Sequence, residues 1–330
     1  MSTETGSDGS PDAMPHSSKR MARLLRATLP LDRTFERLAA KRAQGRLAFS
    51  QRILLRLNQA IRNLRSDYVL ARASDDVLLA YNELLYSGLN DYVPGEEDLP
   101  DKLFPWEEEA IAAYFPKPPA RVLVGAAGSG REAFQLARMG YEVVAFEPVE
   151  KYVAAMLNNC SNEQQIRVCQ ASYEDLPWLV DRSKDGARVR IDSLGSFDAS
   201  IIGWQSFSII RSEETRRRTI EIFVNCTQGP VLMSYACLRE RPSRLARSSN
   251  ARSLARWILS GGRRLQWNDG DYFTARLGFR HRVSDSEIED LANRANAQLV
   301  HRAEPSNEFG GFHTTFAILK SKTERIPQSS

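Results

Sequence analysis

The stretch 121–148 limits what this chain can fold into more than any other part of it. It opens Arg121-Val-Leu-Val-Gly-Ala-Ala-Gly-Ser-Gly-Arg131, runs through alanine, phenylalanine and leucine to Met139, and ends Gly140-Tyr-Glu-Val-Val-Ala-Phe-Glu147-Pro148. The apolar run 122–124 predicts a strand buried on both faces. Gly125, Gly128 and Gly130, with Ala126, Ala127 and Ser129 between them, predict a tight turn whose backbone approaches a ligand without interference from Cβ atoms. Helical spacing of Phe134, Leu136 and Ala137 predicts a helix over 131–139, and Gly140 stands where its C-terminus is expected. A second strand over 141–146 places Glu147 at its tip, where a carboxylate accepts from the hydroxyls of a ribose. Strand, glycine turn, helix, strand and acid in that order predict an α/β fold that holds a nucleoside-bearing cofactor.

Two cofactor classes compete for such a turn. A dinucleotide fingerprint counted from Gly125 needs glycines at 125, 127 and 130, and position 127 is alanine, which crowds a pyrophosphate. The spacing is instead similar to motif I of the class I S-adenosylmethionine-dependent methyltransferases, with Ala126, Gly128 and Gly130 on the family's three glycine positions. This resemblance implies a Rossmann-like sheet, mostly parallel with an antiparallel final strand, and S-adenosylmethionine as cofactor. It implies cofactor contacts from Gly125, Ala126, Ala127, Gly128, Ser129, Gly130, Glu147 and Pro148. Two residues depart from the pattern: Ala126 replaces the first glycine, and Val124 occupies a position that is often acidic.

Further segments follow in the family's order. Ile166-Arg-Val-Cys-Gln-Ala-Ser172-Tyr173-Glu174-Asp175-Leu-Pro177 resembles the third strand and its adenine loop. Ser172 takes the place of the usual aspartate, so the adenine amine is left to the Ser172 hydroxyl, to backbone groups or to Glu174, with Tyr173 available to stack. Glu174 and Asp175 equally suit a solvated loop. Ser196-Phe-Asp198-Ala-Ser-Ile-Ile-Gly203-Trp204-Gln205-Ser206-Phe207 resembles motif IV. There Gly203 allows close approach, Trp204 offers an aromatic wall to the cofactor or fills the core, and Gln205 offers a polar hand to the acceptor. A helix over 214–225, a strand over 229–235, a helix over 283–297 and strands over 298–303 and 312–320 complete the pattern. Ser284 and Glu287 form a capping box for the last helix. The resemblance spans residues 80–320.

In this family the final strand runs antiparallel, so its beginning lies on the ligand rim. His313 is therefore the candidate general base, with Gln205 beside it as the second catalytic candidate. A lone histidine at a strand start is also a common structural feature. His281 is the weaker candidate, because Arg280 and Arg282 flank it and disfavour further positive charge. Methyl transfer is an in-line displacement, and a base is needed only when the acceptor is protonated.

The flanks differ in composition. Residues 1–18 are rich in Ser, Thr, Gly, Pro and Asp and are expected to be disordered, as are 321–330. A basic helical extension is expected over 19–80, ahead of a methyltransferase domain over 81–320. Ile53, Leu54, Leu57, Ile61 and Leu64 form its apolar stripe, with Arg52, Arg56, Arg62 and Arg65 on other faces. Thirteen Lys or Arg stand against Asp32 and Glu36 between 19 and 66, while the whole chain carries only +4. Such a face suits nucleic acid, an anionic membrane or an acidic partner. A plain solvated face is preferred over a nucleic-acid grip, because no aromatic residues interleave with the arginines. A second basic tract, 239–282, carries eleven arginines against three acids. It reads as a lid that brings guanidinium groups to an anionic acceptor, or as a soluble insertion.

Cys160, Cys169, Cys226 and Cys237 lack paired spacing and the four histidines do not cluster with them, so neither a metal site nor a disulfide framework is expected. No apolar stretch is long enough for a transmembrane segment, and the first residues lack signal-peptide character, which gives a cytoplasmic expectation. The expected activity is S-adenosylmethionine-dependent methylation of O or N on a small or glycan-like acceptor, anionic if the arginines of 239–282 face it. Two alternatives stay open: an RNA methyltransferase using the basic helices, and a non-catalytic cofactor-binding protein of the same fold. A nicotinamide oxidoreductase ranks last.

Overall fold

The computed structural model describes residues 49–87, 102–160, 165–184, 186–238, 270–275, 277–305 and 314–322. They divide between two compact units.

The first unit contains α1 (Phe49–Arg72), α2 (Asp75–Ser87) as far as Leu85, and the segment Tyr272–Phe279. Of its residues Val69, Leu70, Leu78, Tyr81 and Leu85 are buried. Ser66 Oγ accepts from the Phe273 N–H at 2.9 Å, Tyr81 Oη donates to the Ala275 carbonyl at 2.7 Å, and Asn82 Oδ1 accepts from the Phe279 N–H at 2.9 Å. Polar side chains of the two helices thus satisfy backbone groups of a segment that lies 194 to 207 residues further along the chain. The helix expected over 19–80 is present from Phe49 onward, with a break at Ala73 and Ser74; 19–48 lie outside the described residues.

The second unit is built on a nine-stranded sheet. Its strands are β1 (Arg121–Gly125), β2 (Glu142–Glu147), β3 (Ile166–Gln170), β4 (Trp178–Asp181), β5 (Arg188–Arg190), β6 (Ala199–Ile202), β7 (Val231–Ala236), β10 (Ala297–Arg302) and β11 (Thr314–Ser321), in the order β10-β11-β7-β6-β1-β2-β3-β4-β5. Between β7 and β10 in the chain, β8 (Asp271–Thr274) and β9 (Gly278–His281) form a separate two-stranded sheet. Strands β7, β6, β1, β2 and β3 are parallel, and β11 runs antiparallel to both β7 and β10. The final strand is antiparallel as expected.

The helices of this unit are α3 (Pro105–Tyr114), α4 (Arg131–Arg138), α5 (Glu150–Asn159), α6 (Glu213–Cys226) and α7 (Asp285–Arg294). Period-two alternation sorts the strand residues into two cores. Leu123, Val144 and Phe146 pack with Ile220 and Phe223 of α6 and Ile288 and Leu291 of α7. Val122, Val124, Val143 and Ala145 pack with Ile111 of α3, Ala133 of α4 and Val153 of α5. The chain leaves β1 toward β2 and β3 on one side and returns as β6 and β7 on the other. The switch point between β1 and β6 is where open α/β sheets bind ligands.

Two features depart from the sequence expectations. Antiparallel β4 and β5 extend the sheet beyond β3. They are four and three residues long, and the second is Arg-Val-Arg, a charged edge that carries no alternating apolar signal. The capping box of α7 is half formed: Ser284 Oγ accepts from the Glu287 N–H at 3.1 Å, but the Glu287 carboxylate turns to His281.

Candidate functional site

The turn after β1 lies at the switch point. Ala127 N donates to the Phe146 carbonyl at 3.0 Å, tying the turn to β2, and Gly130 N donates to the Ala127 carbonyl at 2.9 Å. The backbone is left-handed at Ala126 (φ 51), Gly128 (φ 57) and Gly130 (φ 100). Ala126, on the family's first glycine position, therefore holds a conformation that strains a residue with a Cβ. The glycines serve different ends. A Cβ on Gly125 would fall 2.7 Å from the Phe223 ring and 2.8 Å from the Phe146 ring, so core packing demands that glycine. One on Gly130 would fall 2.6 Å from Phe134 and 2.9 Å from Met156, and one on Gly203 would fall 2.6 and 2.7 Å from the Gly125 and Ala126 carbonyl oxygens. Gly128 alone among these four faces open space, with nothing within 4 Å of the added atom. Ser129, next along, is buried.

Glu147 meets the turn from the tip of β2. Its carboxylate is buried, with Oε2 accepting from the Gly128 N–H at 2.9 Å and Oε1 from the Val149 N–H at 3.1 Å. Burial pushes its pKa from the usual 4.5 to about 7; the two N–H donors work against that rise, and the Glu132 charge adds to it. Pro148, next along, is exposed, and its carbonyl accepts from Gln170 Nε2 at 3.2 Å.

A third element, the start of α3, reaches the same place. Arg131, first residue of α4, donates from Nη1 and Nη2 to both oxygens of Glu107 at 2.6 and 2.7 Å and from Nη2 to Glu132 at 2.7 Å. Its guanidinium lies 4.1 Å from the centre of the Phe104 ring, and the Phe104 backbone N–H donates to Glu107 Oε2 at 2.8 Å. The ring of Phe104 is also 5.3 Å from that of Trp204, beyond β6. Phe104 thus bridges from the N-terminus of α4 to the loop after β6. Two buried carboxylates share one guanidinium here; burial and the Glu132 charge raise Glu107 to about 7 against the pull of Arg131. Pro105 at the first helical turn followed by Glu107 was the available signal, since that pattern opens a helix with an acid folded back on its own N-terminus.

Ser172 is engaged locally: its N–H and hydroxyl donate to Asp175 Oδ2 at 2.8 and 2.7 Å. The ring of Tyr173 packs in the core, 5.8 Å from Phe146 and 6.4 Å from Phe223, and its hydroxyl shares a hydrogen bond with Ser206 at 2.7 Å. This differs from the stacking surface expected of Tyr173, because the aromatic residues of β2 and α6 already occupy its surroundings. Gln205 takes a left-handed backbone (φ 52), donates its N–H to Ser234 Oγ at 2.9 Å and donates Nε2 to Thr314 Oγ1 at 2.5 Å. It ties the loop after β6 to β7 and to the start of β11. His313 and the tract 239–269 lie outside the described residues.

His281 corrects an expectation. It is buried, with Nδ1 2.7 Å from Asp271 Oδ1 and Nε2 2.8 Å from Glu287 Oε2, and Glu287 Oε1 stands 3.0 Å from Nη2 of the fully buried Arg216. Burial favours the neutral imidazole, but the hydrogen bonds to the two acids outweigh it and raise the pKa above its ordinary value, with Arg216 opposing. Burial likewise disfavours the Glu287 charge, and the bonds and charges of His281 and Arg216 reverse that and lower its pKa.

These shifts predict a pH dependence. The raised His281 contributes stability that is complete below about pH 6.5, its unfolded value, and is lost as pH rises through the folded value. Glu107 and Glu147, raised to about 7 in the fold, hold protons that the unfolded chain releases above its usual 4.5, so they too cost stability as pH rises through that window. All three act in one direction. The melting temperature of the ligand-free protein is expected to fall by more than about 4 °C between about pH 5 and pH 8, followed by circular dichroism. A rise over that range would contradict the assignment.

No family model matches the sequence, and no curated protein matches it. Among solved structures, the chain is similar to an S-adenosylmethionine-dependent methyltransferase from Methanosarcina mazei, at 15% identity and a TM-score of 0.47 over 67% of this chain and 99% of that one. It is similar to the CcbJ methyltransferase from Streptomyces caelestis at 15% identity and a TM-score of 0.47, over 74% and 100%. The glycopeptide N-methyltransferase MtfA in complex with S-adenosylmethionine aligns at 15% identity and a TM-score of 0.43, over 66% and 86%. The fold follows from the strand order itself. With parallel β3-β2-β1-β6-β7, an antiparallel β11 inserted between β7 and β10, and helices on both faces, the chain has the Rossmann-like fold of the class I S-adenosylmethionine-dependent methyltransferases.

Proposed function

We propose that the protein is an S-adenosylmethionine-dependent methyltransferase that modifies O or N of a small or glycan-like metabolite, an anionic one where the arginines of 239–282 meet it. The observation that carries this reading is the pairing of Gly128 with Glu147: a left-handed glycine facing open space, its N–H held by a buried carboxylate at the adjoining strand tip. Gly128 leaves open space where a Cβ would stand, and Glu147 supplies acceptor lone pairs for ribose hydroxyls, so the residues present fit the cofactor. When bound, S-adenosylmethionine supplies a methyl carbon activated by its sulfonium.

The chain's own residues would then bind, align and exclude water. Gly128, Ser129 and Glu147 are proposed to hold the nucleoside part, with Phe104 and Trp204 forming an aromatic cover. Arg131 and Glu107 fix Phe104 in place, so they position this cover rather than touch the reacting atoms. Gln205, anchored to Ser234 and Thr314, borders the acceptor side with neutral groups. His313 is kept as the proposed base for a protonated acceptor such as an alcohol; a carboxylate acceptor needs none.

Calorimetric titration with S-adenosylmethionine should show saturable binding and a rise in melting temperature. Glu147→Ala, which removes the acceptor of the Gly128 and Val149 N–H groups, should weaken binding at least about 30-fold while the protein stays folded. No heat and no thermal protection in the parent protein would count against the cofactor assignment. Binding without release of S-adenosylhomocysteine over a panel of cell extracts would favour the non-catalytic alternative.

A further inference from the structure

Helix α1 has two apolar faces. On one side Ser66, Val69 and Leu70 are buried. On the opposite side Leu57, Ile61, Leu64 and Tyr68 are 56%, 64%, 59% and 45% exposed. Spacings of four, three and four residues set these side chains within an arc of about 60° on the helix. Single exposed apolar residues are ordinary on a protein surface, whereas four in register along three turns mark a surface that meets something.

The charge carried by this part of the sequence says what that is. The helix contains five arginines, at 52, 56, 62, 65 and 72, and one acid, Asp67, which is buried. The sequence just before it, 19–48, adds nine Lys or Arg against two acids. A second copy is a poor occupant: two such helices repel, and four side chains fall short of the roughly 800 Å² per partner that a standard stable interface buries. Nucleic acid would meet the cations but leaves the apolar stripe without a role. We propose that this face of α1 docks on an anionic lipid surface, with the stripe entering the headgroup–acyl boundary and the exposed Arg72, which follows Tyr68 by one turn, meeting lipid phosphate. Tyr68, an amphipathic ring at the end of the stripe, suits that boundary.

The test uses the full chain in flotation assays with two vesicles, one of phosphatidylcholine alone and one containing equal parts of phosphatidylcholine and phosphatidylglycerol. Binding is expected to the anionic vesicles only, weakening as salt is raised to about 0.5 M. An Ile61→Ser/Leu64→Ser variant should bind at least about tenfold more weakly with an unchanged melting temperature, because both side chains are exposed. Arg72→Gln should weaken binding about fivefold. Absence of binding to anionic vesicles, equal binding to both vesicle types, or undiminished binding by the serine variant would each overturn the proposal. So would a dimer, measured by light scattering, that dissociates in the serine variant while neither protein binds vesicles; the stripe would then belong to a second copy.

Discussion

An Arg216→Met variant is expected to lose about 3–5 kcal/mol of folding stability, the range for breaking a buried ion pair by removing one partner. Arg216 is fully buried, and its Nη1 donates to the carbonyls of Ile210 and Arg211 at 2.9 and 2.8 Å. Nη2 stands 3.0 Å from Glu287, which is also bound by His281. Methionine keeps much of the volume, so the loss reads on charge and hydrogen bonding rather than on a cavity. Two carbonyls at the end of the loop that begins at Gly203 lose their donor, and Glu287 is left with its hydrogen bonds to His281. Urea unfolding of the full chain measures the loss. Adding Glu287→Gln to Arg216→Met should recover at least about 1 kcal/mol, because the acid left without its arginine is then neutral. A single variant within about 1 kcal/mol of the parent would show that this network does not hold α6, α7 and β9 together.

Features encoded within a few consecutive residues were legible in the sequence. Burial on both faces of β1, the glycine turn, α4 and the acid at the tip of β2 are local signals, and all of them occur at the expected positions. The sheet order was legible only through the family resemblance, because no local pattern says which strand lies beside which. What escaped depends on partners distant in sequence. Glu107 and Arg131 are 24 residues apart, and neither identifies the other. His281 was judged by Arg280 and Arg282, but side chains alternate across a strand, and its nitrogens meet Asp271 and Glu287 instead. Tyr173 has the composition of a stacking residue, and only the packing of Phe146 and Phe223 assigns it to the core. The glycines show the same limit: the sequence marks where a side chain is missing, while the cause, open space at Gly128 and crowding at Gly125 and Gly203, is a three-dimensional property.

That distinction gives the second large effect. Gly203→Ala is expected to cost about 3 kcal/mol of stability, at the upper end of what overpacking does to a closely packed site, and to weaken cofactor binding about 100-fold or more. Gly203 N donates to the Gly125 carbonyl at 2.8 Å, which draws the end of β6 against the end of β1. A methyl group there would lie 2.6 and 2.7 Å from the carbonyl oxygens of Gly125 and Ala126, and backbone on both sides leaves no flexible side chain to move aside. The two strand ends must separate, which displaces Ala126 and with it the turn that places the Gly128 N–H on Glu147. Gly128→Ala is the matching control: its added methyl meets open space, so its folding cost is limited to about 1–2 kcal/mol for a left-handed alanine. Both variants are expected to lose cofactor affinity, Gly203→Ala through a shifted frame and Gly128→Ala through a methyl group standing in the space proposed for the cofactor. Only the first should also show a large drop in urea stability. If Gly203→Ala instead matched the parent in both measurements, β6 and the turn after β1 would not form the tightly joined floor on which the proposed site depends.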